Sequence, residues 1–199
     1  MIRSPQRGFT LVELMVTITV IAILIVLGFP SYEQWIRNTR IRNAAESIQN
    51  GLRLARNEAT QRGANVEFYL PTAGTADWTV CQLAPASTAA TNCTAAGNTP
   101  IQSFVAAGGA ATVQVFNSTA ISDANPLYGT SITGASTGNV IFTALGRPSA
   151  YGSTSILRID ATAAAANSRR LIVTVSAGGN VRMCDPALHI TATTPQGCP

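Results

Sequence analysis

Residues 7–30, RGFTLVELMVTITVIAILIVLGFP, constrain this chain more than any other stretch. From Leu14 to Phe29 there are 16 residues without a charge, and from Phe9 the apolar run is 21 residues long with one acid, Glu13. At about 1.5 Å per residue, a helix of that length matches a hydrocarbon core of about 30 Å. The segment 9–29 therefore reads as a transmembrane helix. A carboxylate in such a core is costly even on lenient insertion scales, so Glu13 is a functional-site candidate with a partner to be found. Arg3 and Arg7 lie before the run, and the positive-inside rule keeps residues 1–8 in the cytoplasm while the remainder is exported. A secretory signal would place small residues of the Ala-x-Ala kind after its apolar run. Here the run ends in Phe29-Pro30-Ser31-Tyr32, so the helix is expected to be retained after processing.

The short basic leader ends at Gly8 and is followed by Phe9-Thr10-Leu11, with Glu13 as the fifth residue after the glycine. This pattern resembles the class III leader of type IV prepilins. The resemblance implies that prepilin peptidase cuts between Gly8 and Phe9 on the cytoplasmic side and that the new Phe9 amine is methylated. It further implies that Glu13 of one subunit meets the Phe9 amine of its neighbour. Such a buried pair adds little net stability, but leaving either partner alone is expensive, and that asymmetry suits registry during polymerisation.

Beyond Pro30 the residues Ile41, Ala44, Ile48, Leu52, Ala55 and Ala59 recur at three- or four-residue intervals, the spacing of an amphipathic helix. One long helix over 9–62 is expected, kinked at Pro30, which removes a backbone hydrogen bond and crowds the preceding turn. Gly63 is a plausible stop. From residue 64 the texture changes to short β-branched runs between Ala/Thr/Gly/Ser/Asn stretches. Strands are expected near 65–70, 77–83, 101–105, 112–116, 139–144, 155–160, 170–176 and 180–184, with Ala177-Gly178-Gly179-Asn180 as a hairpin turn between the last two. Ala84–Asn98 and Ile121–Thr137 read as surface loops of low complexity.

The organisation that follows is a cleaved leader 1–8, a helix 9–62 whose first half spans the membrane, and a β-rich head 63–199. A long helix laid on an antiparallel sheet is an α+β layer arrangement. The helix end RLARNEATQRG, the segment NVIFTALGRPS and the terminal RRLIVTVSAGGNVRMCDP resemble the GspH/FimT group of type IV minor pilins and pseudopilins. That resemblance implies a type IV pilin-like fold and a structural role: entering or priming a type IV pilus. The implied partners are other major and minor pilins and an inner-membrane assembly platform, with membrane lipid around the helix before assembly. The implied location is the bacterial inner membrane with a periplasmic head, then the pilus at the cell surface or a periplasmic pseudopilus. A minor pseudopilin of a type II secretion system is the alternative, and the Cys184-Asp185-Pro186 tail with its closing Cys198 sits closer to the pilus side of the group.

The four cysteines, 81, 93, 184 and 198, all fall in the exported part, where an even count reads as disulfides with three pairings open. Neighbour pairing, Cys81–Cys93 and Cys184–Cys198, is expected because it closes the shorter loops, each closure contributing roughly 3 kcal/mol on the chain-entropy model. Zinc is disfavoured: there is no Cys-x-x-Cys and only one histidine, His189.

All 13 basic residues are arginine, against 9 acids. Losing Arg3 and Arg7 with the leader leaves 11 against 9, too small an excess to imply nucleic-acid binding by net charge. Six arginines (37, 40, 42, 53, 56, 62) and three glutamates (33, 46, 58) lie on the exported helix, at spacings such as Arg42–Glu46 that read as a solvated, paired face. Members of the FimT group implicated in DNA uptake carry a Gly-Arg-x-Arg element, whose counterpart is Gly179-Asn180-Val181-Arg182. With Arg169 and Arg170 at the same sheet end, Arg182 makes a candidate phosphate-binding patch, although three contacts give only weak, salt-sensitive binding. Nothing supports catalysis or a cofactor. There is no Gly-x-Ser-x-Gly, no phosphate loop and no spaced carboxylate pair, and one histidine cannot fill every role of a nucleophile site.

Overall fold

The computed structural model describes residues 8–85, 92–106, 113–119, 132, 137–164 and 168–198. It has one helix, α1 (Leu11–Arg62), and nine strands: β1 (Val66–Leu70), β2 (Trp78–Gln82), β3 (Thr99–Phe104), β4 (Val113–Ser118), β5 (Gly138–Phe142), β6 (Arg158–Ala163), β7 (Leu171–Val175), β8 (Val181–His189) and β9 (Gly197–Cys198). The chain divides into two compact units, Met1–Arg37 and Asn38–Pro199.

In the first unit, Thr10 caps α1. Its hydroxyl accepts the Glu13 N–H at 3.2 Å and its carbonyl accepts the Leu14 N–H at 3.2 Å. Leu14, Ile18, Ile21 and Ile25 are all exposed. A helix apolar all round, with no protein over it, suits lipid or the interior of a bundle. The two hydroxyls in this stretch are satisfied within the helix: Thr17 and Thr19 donate to the Leu14 and Val16 carbonyls, each at 2.8 Å. No single unbroken helix among the described residues is long and apolar enough to cross a membrane. Leu11–Val26 and Ser31–Arg62 pass that test together, as a broken span. The side chain of Pro30, where a kink is expected, lies outside those described.

In the second unit, the helical stripe is the core. Ile41, Ala44, Ile48, Leu52, Ala55 and Ala59 are all buried against Val66, Phe68, Val140, Phe142, Ile159 and Val173. The stripe passes so close to β1 and β2 that Gly51 admits no side chain: a Cβ there would lie 2.8 Å from Phe68 and 2.9 Å from the Trp78 ring. Trp78 stacks on Phe68 and Phe104 and donates its indole N–H to Ser47 at 2.9 Å. The helix ends where the sequence suggests. Gly63 takes a left-handed conformation (φ 60°) and the Ala64 N–H reaches back to the Ala59 carbonyl at 3.3 Å, a Schellman closure.

The β layer is α+β in the expected sense but is divided into two sheets, ordered β3-β2-β1-β5 and β4-β6-β7-β8-β9. All pairings are antiparallel except β8 with β9, which is parallel. Three elements differ from expectation. The strand expected at 155–160 is Arg158–Ala163, because Ser155–Leu157 leads in as irregular chain. β8 continues through Pro186 to His189, its register with β9 shifting between Asp185 and His189, where the proline's missing N–H is tolerated. β9 is too short to carry a sequence signal. The hairpin turn at 177–180 is formed, with Ser176 and Gly179 N–H groups bonded to the Asn180 and Ser176 carbonyls at 3.0 and 2.8 Å. Residues 86–91 of the first low-complexity loop, and all of the second except 132 and 137, lie outside the described residues.

Candidate functional site

The candidate residues fall at two places, the start of α1 and the β7–β8–β9 part of the second sheet. At the start of α1, Thr10 and Glu13 have the spacing of a capping box, of which the threonine half is formed. Glu13 stands in the first helical turn, where the exposed N–H groups and the helix dipole favour a negative charge. Phe9 is 78% exposed and just precedes the first turn, four positions before Glu13. A Cβ built on Gly8 meets nothing within 4 Å, and Gly8 is not in the left-handed region. Among the described residues, then, nothing in the chain's own packing demands glycine at position 8.

The disulfides pair neighbours. Cys81–Cys93 ties β2 to the loop beyond it with Cα atoms 5.6 Å apart, and Cys184–Cys198 ties β8 to β9 with Cα atoms 5.0 Å apart. Beside the first lies a residue that sequence reasoning missed. Glu67, on β1 directly opposite Cys81, is fully buried. Its carboxylate accepts the Asn139 side-chain amide at 2.6 Å and the Cys93 backbone N–H at 3.2 Å. A buried carboxylate requires such partners, and here it fixes the loop carrying Cys93 over the outer face of the sheet. The alternation in β1, with Val66, Phe68 and Leu70 on the helix side, was enough to place Glu67 on that outer face. It gave no sign that a disulfide-tied loop would cover it. Glu67, Cys81 and Cys93 are also close enough to resemble three metal ligands, but both sulfurs are consumed by the disulfide.

Arg169 and Arg170 immediately precede β7, whereas Arg182 stands opposite Thr174, towards the hairpin turn, so the register, against expectation, does not gather the three at one sheet end; each has an internal partner. Arg170 bonds Asp160 at 2.8 Å, and Asp160 is also gripped by Arg158 through two bonds of 2.7 Å. Asp160 is fully buried and Arg158 nearly so, making this a buried Arg–Asp–Arg triad. Arg169 holds Asp185 in a forked pair through its Nε and Nη2 atoms. Arg182 donates to the Pro195 and Gly197 carbonyls at 2.8 and 3.1 Å, fastening the tail that carries Cys198. A phosphate at Arg169 or Arg170 would compete with carboxylates already in place. The sequence showed the arginines but not their partners, because Asp160 and Asp185 reach them only through the β6–β7–β8 register.

Residues 3–29 match the family model described as a prokaryotic N-terminal methylation motif, and residues 44–179 match that of the type II transport protein GspH. The chain is 45% identical over 45 residues to the prepilin peptidase-dependent protein D of Escherichia coli strain K12, covering 23% of this chain and 31% of that protein. It is 39% identical over 64 residues to a type IV major fimbrial protein FimA of Dichelobacter nodosus, covering 31% and 38%. The chain thus spans about a third of the length of these curated relatives. The crystal structure of the type IV minor pilin FimU from Pseudomonas aeruginosa strain PAO1 superposes with a TM-score of 0.42 at 16% identity, over 79% of this chain and 98% of that one. That likeness is too distant to bear on function.

Proposed function

The chain belongs to the GspH family, and on that premise we propose that it is a minor pilin, a structural subunit that enters or primes a type IV pilus and is not an enzyme. Prepilin peptidase removes residues 1–8, the Phe9 amine is methylated, and residues 9–29 hold the subunit in the inner membrane until other major and minor pilins and the assembly platform take it up. Polymerisation brings Glu13 to the Phe9 amine of a neighbour, each removing the other's cost of burial in an apolar fibre core. The observation that carries this proposal is the junction itself. A methylation-type motif runs directly into a helix whose first part is apolar all round, with one acid in its first turn and a glycine that packing among the described residues does not require.

The test is fractionation of sheared fibres against membranes for Glu13→Ala and Gly8→Leu. Glu13→Ala should insert in the membrane and be depleted from fibres, while Gly8→Leu should accumulate as uncut precursor. An unchanged share of Glu13→Ala in the fibres would contradict the pairing role.

The family description, type II transport protein, favours a second reading, a minor pseudopilin with the same assembly chemistry in a short periplasmic fibre. Recovery of the chain with secretion-system pseudopilins rather than pilins would select it. DNA binding by Arg169, Arg170 and Arg182 is a weaker third reading, since each arginine would have to leave or share an internal partner.

A further inference from the structure

The helical segment carries a second feature besides Glu13. Tyr32 and Trp35 lie three residues apart on one face of α1, stack with ring centroids 6.1 Å apart, and are 60% and 63% exposed. Core packing does not explain two large exposed aromatics, and their place along the helix suggests another role. Leu14 to Tyr32 is 19 residues with no charge, bounded by Glu13 and Glu33. At about 1.5 Å per residue those 19 residues measure about 28 Å, close to the roughly 30 Å of a hydrocarbon core. The first charged pair on the exported side, Glu33–Arg37 at 3.5 Å, comes immediately afterwards.

We infer that Tyr32 and Trp35 form an interfacial anchor that seats in the lipid headgroup layer on the exported side and sets the depth of the helix. Aromatic rings with an apolar body and a polar tip collect at that layer, and the pair follows the apolar segment with no charge between that segment and Tyr32, just past the bend between Val26 and Ser31. The anchor has a consequence for Glu13. With Tyr32 at the outer boundary, the span in the unassembled subunit is 14–32 rather than the 9–29 read from the sequence, and Glu13 lies at the cytoplasmic boundary, where water and headgroups can solvate its carboxylate. The unassembled subunit then avoids the cost of a buried acid, and Glu13 enters an apolar setting only when it meets its partner. The occupant of this aromatic face is thus phospholipid at the glycerol and carbonyl level. This rests on the membrane-anchored reading above.

The full-length protein and its Trp35→Phe variant, reconstituted at low protein-to-lipid ratio, test it. The vesicles are phosphatidylethanolamine and phosphatidylglycerol with acyl chains brominated either near the ester or at mid-chain. Trp78 is buried between Phe68 and Phe104 and supplies a constant background, so the difference between the two proteins reports Trp35. The difference emission should be blue-shifted from that of an indole in water and quenched more by bromine near the ester than at mid-chain. Leu14→Trp in the Trp35→Phe chain should show the same preference, from the opposite boundary. Quenching by external iodide with no response to either bromolipid would place Trp35 in water and overturn the anchor. Strongest quenching of either tryptophan at mid-chain would overturn the register. Release of all the proteins from vesicles by alkaline carbonate would instead defeat the membrane-anchored reading itself. A protein that stays inserted with Trp35 in water defeats the anchor alone.

Discussion

Replacing Asp160 with Asn removes one negative charge from between two guanidinium groups while keeping the side chain's shape. Asp160 is fully buried, and the side chains of Arg158 and Arg170 are only 5% and 13% exposed. Solvent therefore screens none of the three strongly. The amide leaves one acceptor where there were two and turns an NH2 toward guanidinium donors, so Arg158 stays buried and loses the Asp160 counter-charge. Breaking a buried pair from one side typically costs about 3–5 kcal/mol. Arg170→Gln is the informative comparison, because it leaves the Asp160–Arg158 pair and its two 2.7 Å bonds intact. It removes one charged hydrogen bond from the more exposed partner, worth about 1.5–3 kcal/mol. The triad therefore predicts an order, Asp160→Asn worse than Arg170→Gln by about 1–2 kcal/mol on those same magnitudes. Urea unfolding of the full chain in detergent, followed by Trp78 fluorescence in a Trp35→Phe background, measures both. An Asp160→Asn cost below about 1 kcal/mol, or a larger cost for Arg170→Gln, would refute the view that Asp160 is the charge on which this end of the sheet depends.

Three other outcomes follow from the geometry. Gly51→Ala gains about 1 kcal/mol in helix propensity but forces a methyl against Phe68 and Trp78, at about 1–3 kcal/mol for overpacking; a net loss is expected, and a raised melting temperature would show that the rings retreat freely. Cys198→Ser should release the tail from β8, seen as faster proteolysis after residue 189, while the far-ultraviolet circular dichroism of the sheets is kept; loss of that signal would mean the tail holds the fold. Duplex DNA should not be retarded by the detergent-solubilised chain at low salt, because Arg169, Arg170 and Arg182 already have partners; retardation abolished by Arg182→Ala would reverse that expectation.

The stripe Ile41 to Ala59 and the Gly63 stop were legible because helix periodicity and a left-handed cap are local properties, written within a few residues. The disulfide pairing was legible from loop length alone. Division of the β layer into two sheets was not, because strand partners are chosen by contacts between β4 and β6, some 40 residues apart, that no local pattern encodes. The buried acids were hidden for the same reason. Glu67 is covered by Asn139 and the Cys93 loop, and Asp160 by Arg170 from the next strand, so their burial depends on distant segments. Arg169, Arg170 and Arg182 looked like a free cationic patch in the sequence for want of those same partners.

The central claim is that Phe9 becomes the first residue of a subunit built into a fibre, and the N-terminal mass of the chain recovered from sheared fibres tests it most directly. The account predicts a peptide beginning at N-methylated Phe9, with residues 1–8 absent. A fibre-borne chain beginning at Met1, or at any residue beyond Pro30, would contradict it.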